Sequence, residues 1–132
     1  MKFLAMILLI SSLTAQAQSL RPLKDVMSDL GASFKVVTLG LQAGSITPKM
    51  VTESDGIVKF IVESETITPD TVLALPNIEQ APALAKYVQE LKDLEVVAND
   101  FNAAIKAGNL DSAKNLLLQM GNLKKQGHKD FK

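Results

Sequence analysis

Apolar residues recur along this chain at the three- and four-residue spacing of helices that bury one face. Leu23, Val26, Met27, Leu30, Phe34, Val37 and Leu41 form one stripe, opening from about Ser19 with Pro22 tolerable in the first turn and Gly40 and Gly44 near its stop. Leu110, Ala113, Leu116, Leu117, Met120, Leu123, Gly127 and Phe131 form another at the far end of the chain. Before it, Gly108 suits the end of one helix and Asn109 the N-cap of the next, while Asp111 suits the positive end of the helix dipole. The longest unbroken pattern, Leu84, Tyr87, Val88, Leu91, Leu94, Val97, Ala98, Phe101 and Ile105, runs to Lys106 from a start between Ile78 and Pro82.

Residues 48–65 send a mixed signal. Thr47-Pro48 is a natural helix start, and Met50, Val51, Ile57, Val58 and Ile61 keep partly helical spacing. Gly56 and the β-branched residues between Ile57 and Val62 admit a strand instead. Residues 66–77, with Pro69 and Pro76 around Val72, Leu73 and Leu75, read as an apolar connection of about a dozen residues. Ser45-Ile46-Thr47-Pro48 and Thr66-Ile67-Thr68-Pro69 look alike, which fits shared capping chemistry better than duplication.

The extreme N-terminus has a different pattern. Lys2 precedes an apolar run from Phe3 to about Leu13, and Ala15-Gln16-Ala17 is a processing site, so residues 1–17 read as a cleaved signal peptide and 18–132 as one exported domain. The run is too short to span a bilayer, which needs about 20 apolar residues, so no membrane insertion is expected after processing. The whole chain carries 14 basic and 14 acidic residues, a balance that offers nothing for nucleic acid. It has no cysteine, which excludes disulfides, thiolate metal sites, iron–sulfur clusters and thioether-linked haem. A single histidine without paired metal-ligand spacing leaves little for hydrolytic triads or zinc chemistry, so an enzyme is not expected.

Short connections near Gly44 and Gly108 make sequential helices antiparallel neighbours, giving an all-α, up-down-up-down four-helix bundle. That order places the start of the first helix, the end of the last and the 66–77 connection at one end, with the segment from Val72 to Leu75 as a lid there. Met27 and the sole histidine, His128, then share that end. Taken singly, a methionine on an apolar stripe is core filling, and a histidine in a last turn is a solvated partner of the dipole. Facing each other, a thioether and an imidazole form the axial pair of a six-coordinate haem.

The tail Asn122-Leu123-Lys124-Lys125-Gln126-Gly127-His128-Lys129-Asp130-Phe131-Lys132 resembles the last turns of the cytochrome b562 family and of the related cytochromes c′. Residues 23–35, Leu23-Lys24-Asp25-Val26-Met27-Ser28-Asp29-Leu30-Gly31-Ala32-Ser33-Phe34-Lys35, resemble the family's first helix with its methionine ligand in place. Residues 105–114, Ile105-Lys106-Ala107-Gly108-Asn109-Leu110-Asp111-Ser112-Ala113-Lys114, are similar to its turn between the last two long helices. Lys124 and Gly127 stand where the c′ members carry cysteines, so the resemblance implies haem b held without covalent attachment.

It further implies Met27 and His128 as the iron ligands, with Leu30, Phe34, Tyr87 and Leu91 against the cofactor. Lys124 is expected among the cofactor-binding residues, and Lys24, Lys124 and Lys125 are all near enough to serve the propionates, with none of them singled out. The implied role is electron transfer in the periplasm by a monomer or weak dimer that exchanges electrons with a redox partner protein. Two other readings stay open at this point: a haem-free exported bundle acting as adaptor or chaperone, and a sensory haem or gas-binding bundle.

Overall fold

The computed structural model describes residues 20–131, so the predicted processing site lies outside the described residues. Four long helices and one single turn follow in order: α1 (Leu23–Gln42), α2 (Pro48–Glu65), the turn α3 (Asp70–Leu73), α4 (Asn77–Lys106) and α5 (Leu110–Phe131). Among the described residues there is no strand, and no helix is long and apolar enough to cross a membrane.

Each long helix runs antiparallel to the next, as the pairing of early with late residues shows. Arg21, just before α1, reaches Glu63 near the end of α2, while Gly40 at the end of α1 lies against Met50 at the start of α2. Tyr87 and Asn102 of α4 meet Ser64 and Ser54 of α2, and Tyr87 meets Phe131 of α5. The bundle is therefore up-down-up-down. Its seams are unequal: α1 packs along α2, α2 along α4 and α4 along α5, but α1 and α5 barely meet.

The core of Leu41, Met50, Ile57, Ile61, Phe101, Ile105 and Met120 is fully buried and comes from all four long helices. Two glycines with positive φ, Gly44 at 82° and Gly108 at 70°, turn the chain at the end far from Met27. Side chains with a Cβ rarely adopt that conformation, so glycine permits these short returns.

Several boundaries differ from the sequence reading. α1 opens at Leu23, not near Ser19, because Pro22 is extended at the N-cap (φ −54°, ψ 134°) and the residue before a proline avoids helical geometry. Residues 48–65 by contrast form the expected helix, and the strand alternative falls away. Met50, Ser54, Ile57, Ile61 and Ser64 put one face of α2 inward, and packing of that face outweighs the weak propensity of its β-branched residues. Thr47 caps the helix: its Oγ1 accepts from the Met50 N–H at 3.3 Å, and its own N–H donates to the Met50 sulfur at 3.4 Å.

α4 begins at Asn77, one residue ahead of the predicted window, and carries Pro82 within its first turns. The Gln80 amide donates to the carbonyls of Leu73 and Leu75 at 3.2 and 2.9 Å, stitching the connection to that start. The connection itself is ordered by α3, which buries Val72 (1% exposed) and leaves Leu73 outside (57%).

Candidate functional site

The weak α1/α5 seam opens into a cavity of about 250 Å³ at the end of the bundle where α1 begins and α5 finishes. α1 contributes Leu23, Met27 and Leu30; α4 contributes Tyr87, Glu90, Leu91 and Leu94; α5 contributes Leu123, Lys124, Gly127, His128 and Phe131. Pro69 of the connection completes the wall. Helical spacing explains the convergence, since 23, 27 and 30, then 87, 91 and 94, then 123, 127 and 131 each descend one face of their helix.

Met27, His128, Leu30, Tyr87, Leu91 and Lys124 thus share one cavity, and Phe34 does not line it. Phe34 lies one turn further along α1, where the Lys124 ammonium sits 5.0 Å from its ring centroid and bridges the seam. Lys124 is therefore engaged with an aromatic face. Lys24 lines a shallower outer groove of about 640 Å³, and Lys125 lines neither space. Met27 is half-buried, and His128 is exposed on the α5 side of the seam.

The lid is not the segment from Val72 to Leu75. Residues 67–71 line the outer groove and Pro69 the cavity, whereas α3 turns Val72 into the protein and Leu73 away from it. The mouth is formed by residues preceding the ones predicted, because the single turn of helix rotates the chain there.

Tyr87 stands in the wall with its hydroxyl donating to the Ser64 carbonyl at 3.2 Å, and burial pushes that hydroxyl up to about 12. Its ring meets Phe131 edge-on, with centroids 5.2 Å apart and planes at 76°.

Sequence reasoning missed Glu90. Its Oε2 is shielded from solvent, with no hydrogen-bond partner among the described residues. Burial, then the neighbouring Asp130 carboxylate, push its carboxyl up to about 7 against the opposing pull of Lys86. Asp130 goes the other way, to about 2, held by Glu90, by the Gln126 amide at 3.0 Å from each oxygen and by Lys86 at 3.4 Å. The two neighbouring carboxyls are shifted apart, Glu90 upward and Asp130 downward. The signal was present in the chain: Glu90 falls three residues after Tyr87 and four before Leu94, an acid on an otherwise apolar stripe.

The donor set fits a non-covalent haem. One thioether and one imidazole from different helices open onto the same space, most of its remaining wall is leucine and aromatic with Glu90 and Lys124 as the charged members, and no thiol is present to form a covalent link. Among the described residues no cluster of His, Cys, Asp and Glu could hold a bare metal ion.

No curated protein and no solved structure matches the chain. The sequence model of the cytochrome b562 family, however, matches residues 22–132, the whole four-helix unit, and the chain belongs to that family.

Proposed function

We propose that the protein is an exported b-type cytochrome that carries single electrons in the periplasm, with haem b held without covalent bonds between Met27 and His128. One observation carries this reading: Met27 and His128, a hundred residues apart in sequence, line the same apolar cavity at the one loosely packed seam. Membership of the cytochrome b562 family supports it.

When bound, haem supplies a one-electron couple. The residues do the rest. His128 provides the stronger, fixing bond and Met27 a weaker, softer one that favours ferrous iron and raises the potential. Met27 and His128 would hold the haem from two helices and leave no ligand place for a substrate, which suits one-electron exchange and not bond chemistry.

Leu30, Leu91, Leu94 and Leu123 exclude water and keep the site apolar, which disfavours the additional charge of the oxidised state. Lys24 at the groove and Lys124 at the inner edge are the cations nearest to receive carboxylates at the mouth. A redox protein is the expected partner.

The test is the absorbance of the mature protein supplied with haem, compared with Met27→Ala and His128→Ala. Sharp reduced-state bands are expected in the wild type. Met27→Ala should keep much of the affinity but lose those bands and lower the potential. His128→Ala should weaken binding at least about a hundredfold, since losing even the outer partners of a metal ligand costs roughly 10–100-fold. A colourless wild type would favour the haem-free adaptor, and unchanged bands in Met27→Ala would move the sixth ligand elsewhere.

A further inference from the structure

The cavity and the outer groove are neighbours, and they have four lining residues in common: Leu23, Met27, Pro69 and Phe131. Leu23 starts a helix and Pro69 is held by its ring, but Phe131 sits in the last turn of α5. The last carbonyls of a helix lack partners within it, so its final residue frees most readily. At about 250 Å³ the cavity falls just short of the roughly 300–1,000 Å³ of small-molecule sites. Joined to the groove of about 640 Å³, it comes within that range.

We propose that Phe131 is the gate between them: its ring closes the inner cavity, and its outward swing joins cavity and groove into one slot. This rests on the haem-binding reading above, and it adds that Phe131 and its holders set the rate of exchange.

The gate has a fixed post and a weak latch. Tyr87, buried and anchored to the Ser64 carbonyl, offers its ring to the Phe131 edge contact. Thr71, in the connection, donates its hydroxyl to the Phe131 carbonyl at 3.2 Å, satisfying one of the unpaired acceptors of the helix end. Opening breaks one aromatic contact and one hydrogen bond, each of a kind that shifts an equilibrium by roughly two- to tenfold. The opening is confined to Phe131, three residues beyond His128 in the last turn of α5, so the latch governs access and leaves ligation to Met27 and His128 alone.

The experiment measures haem association by rapid mixing and dissociation into an excess of haem-scavenging globin, using the mature chain and three variants. Phe131→Ala should raise both rates by about tenfold, and Thr71→Val by roughly two- to tenfold, with the reduced-state spectrum unchanged. Thr71→Ser, which keeps the hydroxyl, should behave as wild type. A residue that merely packs would raise dissociation alone, so unchanged association in both Phe131→Ala and Thr71→Val overturns the gate. If the wild type takes up no haem, the functional reading falls, and the gate is then judged by the entry rate of anilinonaphthalene sulfonate. Faster entry in Phe131→Ala supports it and equal rates overturn it.

Discussion

The α2/α4 seam and the α1/α5 seam separate two tasks that one bundle must perform. Between α2 and α4, polar pins supplement a dry interior. The Asn102 amide donates to Ser54 at 3.0 Å and to Asp55 at 2.8 Å, Lys106 pairs with Asp55 at 3.0 Å, and Tyr87 bonds the Ser64 carbonyl. Ile57, Ile61, Ala98 and Phe101 fill the space between. Between α1 and α5, the side chains facing each other enclose a cavity, and the Phe34–Lys124 contact is the bridge across it. Burial in the closed seams stabilises the fold enough for the fourth to stay loose. A ligand slot in a small domain is a local deficit of packing, and this protein confines that deficit to one seam.

The sharpest break of this comparison is a pair of truncations read by urea unfolding of the haem-free chain. Phe101→Ala, at a site with 0% exposure, should cost about 3–5 kcal/mol. Leu123→Ala, on the half-buried cavity wall, should cost about 1 kcal/mol, because its surroundings are already incomplete. Equal costs would mean that the two seams do not differ energetically.

Next in size is Gly40→Ala. A methyl at Gly40 would run into the Met50 sulfur, which is fully buried and already engaged by the Thr47 N–H. Overpacking of this kind costs about 1–3 kcal/mol, and a lowered urea midpoint with an unaltered haem spectrum would place the damage in the α1/α2 seam.

The smallest expected effect is a pH dependence. Glu90 is raised in the folded state from 4.5 to about 7, so the stability it contributes is complete below 4.5 and lost as pH rises through 7. Glu65, raised by burial and by Glu95, contributes with the same sign. Asp130 acts oppositely: its contribution is present above 3.8 and lost as pH falls through about 2. The haem-free chain should therefore lose stability between pH 4.5 and 7, and Glu90→Gln should remove part of that slope while leaving the share of Glu65. An unaltered slope in Glu90→Gln would detach the cavity acid from the stability of the seam.

The four long helices, their order and the two glycine turns could be read from the chain because stripe spacing and turn residues are local signals. Met27 and His128 could be brought together by topology alone, since up-down-up-down order fixes which ends meet. What escaped depends on rotation and neighbours. Whether Phe34 faces the cavity or lies under Lys124 is decided by about one helical turn along α1. Which residues of the connection form the mouth depends on the single turn α3, too short to leave a periodic trace. Glu90 was overlooked because an acid between Tyr87 and Leu94 looks solvated until Asp130, forty residues on, is placed beside it.

The order of the seams also bears on how quickly the chain finds its shape. Every closely packed pair of long helices is consecutive among the long helices, with only the single turn α3 intervening between α2 and α4, and the pair joining the two extremities is left slack. Local closures therefore suffice to assemble nearly all of the interior, a topology that belongs with microsecond-to-millisecond folding. The pairing most distant along the polypeptide, α1 with α5, contributes little to that assembly.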